Sequence, residues 1–132
     1  MTTVERPRRD NRPVLRLLAS PLHPLLSSRV CTLSYLGPRT GTRHVLPVEY
    51  ARDGDRIVVL AADASTKRWW RNFTGAGRTL TVTVRRHAHA AHAVALSPGD
   101  PGYADSLTAY QRRHRAPQNA DHRLVVLYLL GV

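Results

Sequence analysis

The sequence predicts a mainly β chain with short helices, folded as a small, mostly antiparallel barrel of about six strands. Three observations carry this. Six short apolar or alternating runs read as strands, at Cys31–Leu36, Arg43–Arg52, Arg56–Ala61, Leu80–Arg86, His87–Ser97 and Arg123–Leu130. Hairpin signals dominate the connections, above all Asp53-Gly54-Asp55. A length of 132 residues with 42% hydrophobic content suits one folded domain with one core.

In chain order, residues 1–13 are polar, with Arg6, Arg8, Arg9 and Arg12 among Glu5 and Asp10, and read as a flexible basic arm. Residues 14–132 form the single domain. In Val14–Val30, Leu15, Leu18, Leu22, Leu25 and Leu26 recur at helical spacing, and Pro21 and Pro24 divide them into two short helical pieces. These pieces read as a lid on the barrel, or as a peripheral contact with a membrane surface. The first strand, Cys31–Leu36, leads into Gly37-Pro38-Arg39-Thr40-Gly41, whose glycines allow unusual backbone angles and whose proline pre-sets one. Pro47 within the second strand implies an edge, a bulge or a strand start. RIVVLA, Arg56–Ala61, is apolar enough to be buried on both faces.

After the third strand a helix is expected from Ser65 or Thr66 through Trp69, Trp70 and Phe73, ended by Gly75-Ala76-Gly77. Of the two tryptophans, one is expected in the core and one at the rim. A turn near Arg86–Ala88 separates the fourth and fifth strands. Ala104–His114 reads as a helix with Leu107 and Tyr110 inward and Gln111, Arg112 and Arg113 outward. Arg115–His122 reads as a polar loop before the last strand.

A formal charge of +11 points to an anionic partner: nucleic acid, an acidic membrane surface or an anionic small molecule. Cys31 is the single cysteine, so no intrachain disulfide forms, and a cytoplasmic setting with a buried, inert thiol is expected. No signal peptide is read, and no apolar run approaches the ~20 residues of a membrane span. Ser27 and Ser28 lack a His-Asp partner pattern, and no phosphate loop or dinucleotide loop occurs. His87 and His89 share one strand face while His92 takes the other, so no metal site is assigned.

Two cation-bearing corners remain. Arg39 lies in the first turn, with Arg43 and His44 just beyond. Lys67, the only lysine, and Arg68 lie in the first turn of the expected helix, where free backbone N–H groups attract anions. Between them they suit a phosphorylated planar cofactor, its charged tail on the cations and its ring in a flat slot.

Gly37-Pro38-Arg39-Thr40-Gly41, His44, Pro47-Val48, Arg52-Asp53-Gly54-Asp55 and Lys67-Arg68-Trp69-Trp70-Arg71-Asn72 together resemble the deazaflavin-dependent nitroreductase family. These are relatives of the pyridoxamine phosphate oxidases, with a split β-barrel fold. The resemblance runs from about Leu22 to Val84 and returns in the last strand. It implies coenzyme F420, or FMN in sister groups, and hydride transfer to quinones, nitro compounds or other small-molecule electrophiles. It further implies that Arg39, Thr40 and Gly41 hold the acidic tail, that Pro47 and Val48 meet the ring, and that Lys67, Trp69 and Asn72 close the phosphate side. His44 stands where the family more often has a basic or polar residue. Ala61-Ala62 replaces a Ser-Lys pair of some members, and Pro38 replaces a common arginine or lysine. Tyr110 is a substrate-side candidate, and a homodimer is expected. No catalytic residue is assigned.

Two other readings stay open. One is a ligand carrier of the same fold holding haem or lipid. The other is a basic nucleic-acid-binding barrel, for which the sequence lacks aromatics spaced along a strand face, so no specific nucleic acid is expected.

Overall fold

The computed structural model describes residues 29–116 and 121–130. The expected arm, the helical lid and the membrane contact lie outside these residues. The elements are β1 (Val30–Leu36), β2 (Arg43–Asp53), β3 (Arg56–Ala62), a 3-10 helix (Trp69–Phe73), β4 (Arg78–Val84), β5 (His87–Leu96), α1 (Tyr103–Gln111) and β6 (His122–Leu129). The strands close into an antiparallel barrel in the order β1-β2-β3-β6-β5-β4.

Alternation along each strand sorts the side chains into two layers. Cys31, Leu33, Tyr35, Ile57, Val59, Leu80, Val82, Val125 and Leu127 fill the barrel. On the outside, α1 packs Tyr103, Ala109 and Tyr110 against Ala51, Val58 and Leu124. The run Ile57-Val58-Val59 is therefore buried on both faces, as its unbroken apolar character predicts. Arg56 ties the β2–β3 hairpin to α1, reaching both Asp53 and Asp105.

The β4–β5 reversal differs from the sequence reading. Val84 pairs with His87, so the turn is Arg85-Arg86, with φ of 50° and 70°. Neither arginine favours the left-handed region. The register Leu80↔Ala91 and Val82↔His89 puts Leu80, Val82 and Val84 in the core. That burial fixes where the chain must turn, and the arginines accommodate it.

Pro47 marks where the barrel parts. β2 pairs with β1 along Arg43–Glu49, but with β3 only along Tyr50–Asp53. The bonds Gly37 N–H to Thr42 C=O and Tyr50 N–H to Arg29 C=O fix the hydrogen-bonding phase of the β1–β2 ladder. By that phase, the backbone groups of Val45, Pro47 and Glu49 point away from β1, toward the gap between β2 and β3. A proline fits there because the ladder with β1 needs no donor from it.

Cys31 is fully buried, and burial pushes its thiol up to about 12. We expect no reaction with a maleimide at pH 8 in the native protein and complete reaction in denaturant. Rapid native labelling would show that β1 opens. Among the described residues, no helix is long and apolar enough to cross a membrane.

Candidate functional site

The first corner is the β1–β2 turn. Gly37 N–H donates to Thr42 C=O at 2.7 Å, and Gly41 N–H donates back to Gly37 C=O at 3.0 Å. Gly41 takes φ +70°, which a side chain would oppose. Thr40 braces its own turn: its hydroxyl accepts from Thr42 N–H and donates to the Thr42 hydroxyl at 2.8 Å. Arg39 is exposed at the tip. The His44 ring stacks on buried Tyr35, with centroids 5.3 Å apart, and lies close against Gly37. Along β2, Val48 packs on the barrel core, while Pro47 is half-buried on the outer side.

The second corner follows β3, and here the expected helix start is corrected. Residues 63–66 form a turn, with Thr66 and Lys67 N–H donating to Asp63 C=O. The helix starts only at Trp69, is 3-10 in type, and has no side-chain cap. Ser65 is not a cap but a donor. Its N–H and hydroxyl reach the two Asp121 carboxylate oxygens at 2.9 and 2.8 Å. One N–H of this turn and one hydroxyl, both from Ser65, do hold an anion, and it belongs to the same chain. Asp121 lies 56 residues away in sequence, so local pattern gave no sign of it.

Both tryptophans are buried, so neither stands at the rim as expected. Trp70 donates its indole N–H to Ala64 C=O at 3.2 Å, with Arg71 and Arg123 each lying over its ring. Trp69 meets Phe73 edge-on, and Asn72 donates its side-chain amide to Trp69 C=O at 2.9 Å. Lys67 and Arg68 remain exposed.

The antiparallel topology brings these corners together. β1 and β3 run in the same direction, so the turns that follow them leave the barrel at the same end. A continuous aromatic chain, His44–Tyr35–Phe73–Trp69, joins one corner to the other. Arg39, Thr40, Gly41, His44, Lys67, Trp69 and Asn72 therefore share one end, and Pro47 and Val48 lie on the β2 edge leading down from it.

Tyr110 sits apart, buried on α1 against the His114 ring at 4.9 Å. Burial and then the charge of Glu49 push its hydroxyl up to about 12. An open groove of about 420 Å³ lies beyond α1, lined by Arg112, Arg113, His114 and Arg115 among others.

Sequence reasoning missed three polar anchors within Arg115–His122 and its flank, two of them buried. His114 donates Nε2–H to Tyr50 C=O at 2.5 Å and turns Nδ1 toward Glu49 at 3.7 Å. His122 is paired with the Tyr103 hydroxyl at 2.5 Å, and burial raises that hydroxyl's pKa. Asp121 is the third. Among the described residues, no three His, Cys, Asp or Glu side chains group as metal ligands.

No protein-family model and no curated protein sequence matches the chain. Solved structures do. A protein assigned as a pyridoxamine 5′-phosphate oxidase from Listeria innocua aligns with TM-score 0.52 and 9% identity, over 92% of this chain and 94% of that one. A structure described as an F420 reductase aligns with TM-score 0.52 and 18% identity, over 78% and 87%. An FAD-binding protein from Mesorhizobium loti aligns with TM-score 0.50 and 15% identity, over 85% and 91%. At such identities the likeness is one of fold, and with the six antiparallel strands of the described residues parting beside Pro47 the fold is a split β-barrel of the pyridoxamine phosphate oxidase-like type.

Proposed function

We propose that this protein is an oxidoreductase that transfers a hydride from reduced coenzyme F420 to a quinone, a nitro compound or another small electrophile. FMN is the alternative cofactor. The observation that carries the reading is topological: the Arg39 turn and the Lys67 turn leave the same end of the barrel, beside the β2 edge that β3 leaves open. An F420 reductase and an FAD-binding protein share this fold, which supports a flavin or deazaflavin rather than an unrelated ligand.

The donor set fits such a molecule in part. Arg39 offers a planar fork suited to a carboxylate or phosphate, and Lys67 and Arg68 add charge at the other corner. The backbone carbonyls of Val45 and Pro47 face the gap and can accept from the edge of a flat ring. Gly41 and Thr40 hold the Arg39 turn in shape, and His44 fixes that turn against Tyr35. The buried indole of Trp69 and the Asn72 amide brace the second corner from beneath rather than walling an open slot. A deazaflavin or flavin, when bound, supplies the hydride, so the chain needs no base of its own. Its residues bind the tail, orient the ring and exclude water.

The test is titration of purified protein with F420, FMN, FAD and haem, followed by absorbance and fluorescence. Micromolar binding of F420 or FMN is the expected result. Failure of both removes the proposal, and a haem Soret band in its place favours the carrier. Lys67→Ala is expected to weaken the bound cofactor by about tenfold, the loss of one charge-assisted contact. Arg113→Ala, on the separate groove beyond α1, is expected to change it by less than about twofold. Equal losses would mean that the field of the +11 chain acts generally, not at a corner.

A further inference from the structure

We infer that the Asp121 carboxylate is an internal occupant of the anion cradle at the β3–β4 corner, and that it sets how tightly the protein holds a phosphorylated ligand there. Ser65 presents two donors side by side, N–H and hydroxyl, and each meets a different carboxylate oxygen. That two-point arrangement is also how a turn grips two oxygens of a phosphate. Ala64 N–H donates to the Asp121 backbone carbonyl at 3.1 Å, which seats the carboxylate over the turn. Ser65 is exposed and Asp121 half-buried, so the cradle opens to solvent. Lys67 and Arg68 are exposed on the same turn, beside the cradle.

A phosphate approaching Ser65 therefore finds its donors taken and a negative charge within a few ångströms. It must displace the carboxylate or bind offset from it, and either lowers affinity. Asp121 is thus a specificity-determining residue, favouring ligands whose charge can be held by Lys67, Arg68 and Arg39 without Ser65. The inference shares with the proposed function only the assignment of this corner to the phosphate end.

The test uses the full chain with pyrophosphate as the probe, read by calorimetry, with FMN and F420 in parallel. Asp121→Asn keeps an acceptor for Ser65 N–H and removes the charge. It is expected to tighten pyrophosphate about tenfold. Asp121→Glu keeps the charge and is expected to stay within about twofold of the parent. Adding Ser65→Ala to Asp121→Asn is expected to take the gain away. Should Asp121→Asn not fold, judged by circular dichroism, Asp121→Ser carries the same comparison. Unchanged or weaker pyrophosphate binding by the neutral variant overturns the inference, as does no binding by either protein. Tightened pyrophosphate with no binding of FMN or F420 supports the inference and sinks the cofactor proposal. The reverse pattern, cofactor bound by the parent and indifferent to Asp121, sinks the inference alone.

Discussion

Replacing Phe73 by alanine is expected to cost about 3–5 kcal/mol of folding stability, a large share of the ~5–15 kcal/mol that a domain of this size has. Phe73 is fully buried and leads the largest side chains of the core. Its ring meets Tyr35 edge-on at 5.3 Å and Trp69 at 6.5 Å, so it links the 3-10 helix to β1. Alanine would empty that junction, and the closed strands around it leave little room to collapse. The melting temperature should fall by more than about 10 °C. Phe73→Leu, which keeps most of the volume, should cost about 1.5 kcal/mol or less. A Phe73→Ala variant within about 1 kcal/mol of the parent would mean that the second corner is not part of the cooperative core.

Gly77→Ala is the second large effect, and Gly75→Ala is its control. Both glycines take left-handed φ, +69° at Gly75 and +82° at Gly77. A Cβ on Gly75 would meet nothing within 4 Å. A Cβ on Gly77 would lie 2.2 Å from the Ala93 carbonyl oxygen and 2.9 Å from Val94 Cγ2. The first variant bears only the conformational penalty, about 1–2 kcal/mol. The second must also push β5 away from the start of β4, where Arg78 pairs with Ala93, and should cost about 3 kcal/mol or more. Denaturant unfolding of the two variants side by side measures the difference. Equal costs would remove crowding as the reason for a glycine at position 77.

Much of the fold was legible because its signals are local. Cys31–Leu36 and Arg56–Ala61 carry their burial in their composition, and Asp53-Gly54-Asp55 turns with Gly54 at φ +65°. The Arg85-Arg86 turn was not legible at its true place, since neither residue favours it and only the pairing of distant core residues requires it. The helix start at Ser65 failed for a related reason. Serine and threonine before a charged pair look like a cap, but the Ser65 hydroxyl donates to a carboxylate from the far end of the chain, and the Thr66 and Lys67 N–H groups are spent on Asp63 C=O. The tryptophans misled through spacing. In a 3-10 helix of five residues, with one face against the barrel and the other under Arg71 and Arg123, adjacent side chains can both be covered. Of the candidate site, the cationic tips were readable as composition and turn chemistry. The histidines at positions 114 and 122, which pin α1 and β6, sit in a stretch whose polarity alone suggests solvent.

Pro47 has a consequence beyond this molecule's own ladder. Where β2 and β3 part, the outer margin of β2 has no strand partner among the described residues, and its main-chain groups are ones that a strand from another molecule could extend. A ring nitrogen without a hydrogen in the middle of that margin breaks the row of donors, so an incoming strand would lose a bond at the centre of its register. The gap proposed above to take the cofactor ring is thereby kept from becoming a seed for intermolecular sheet growth.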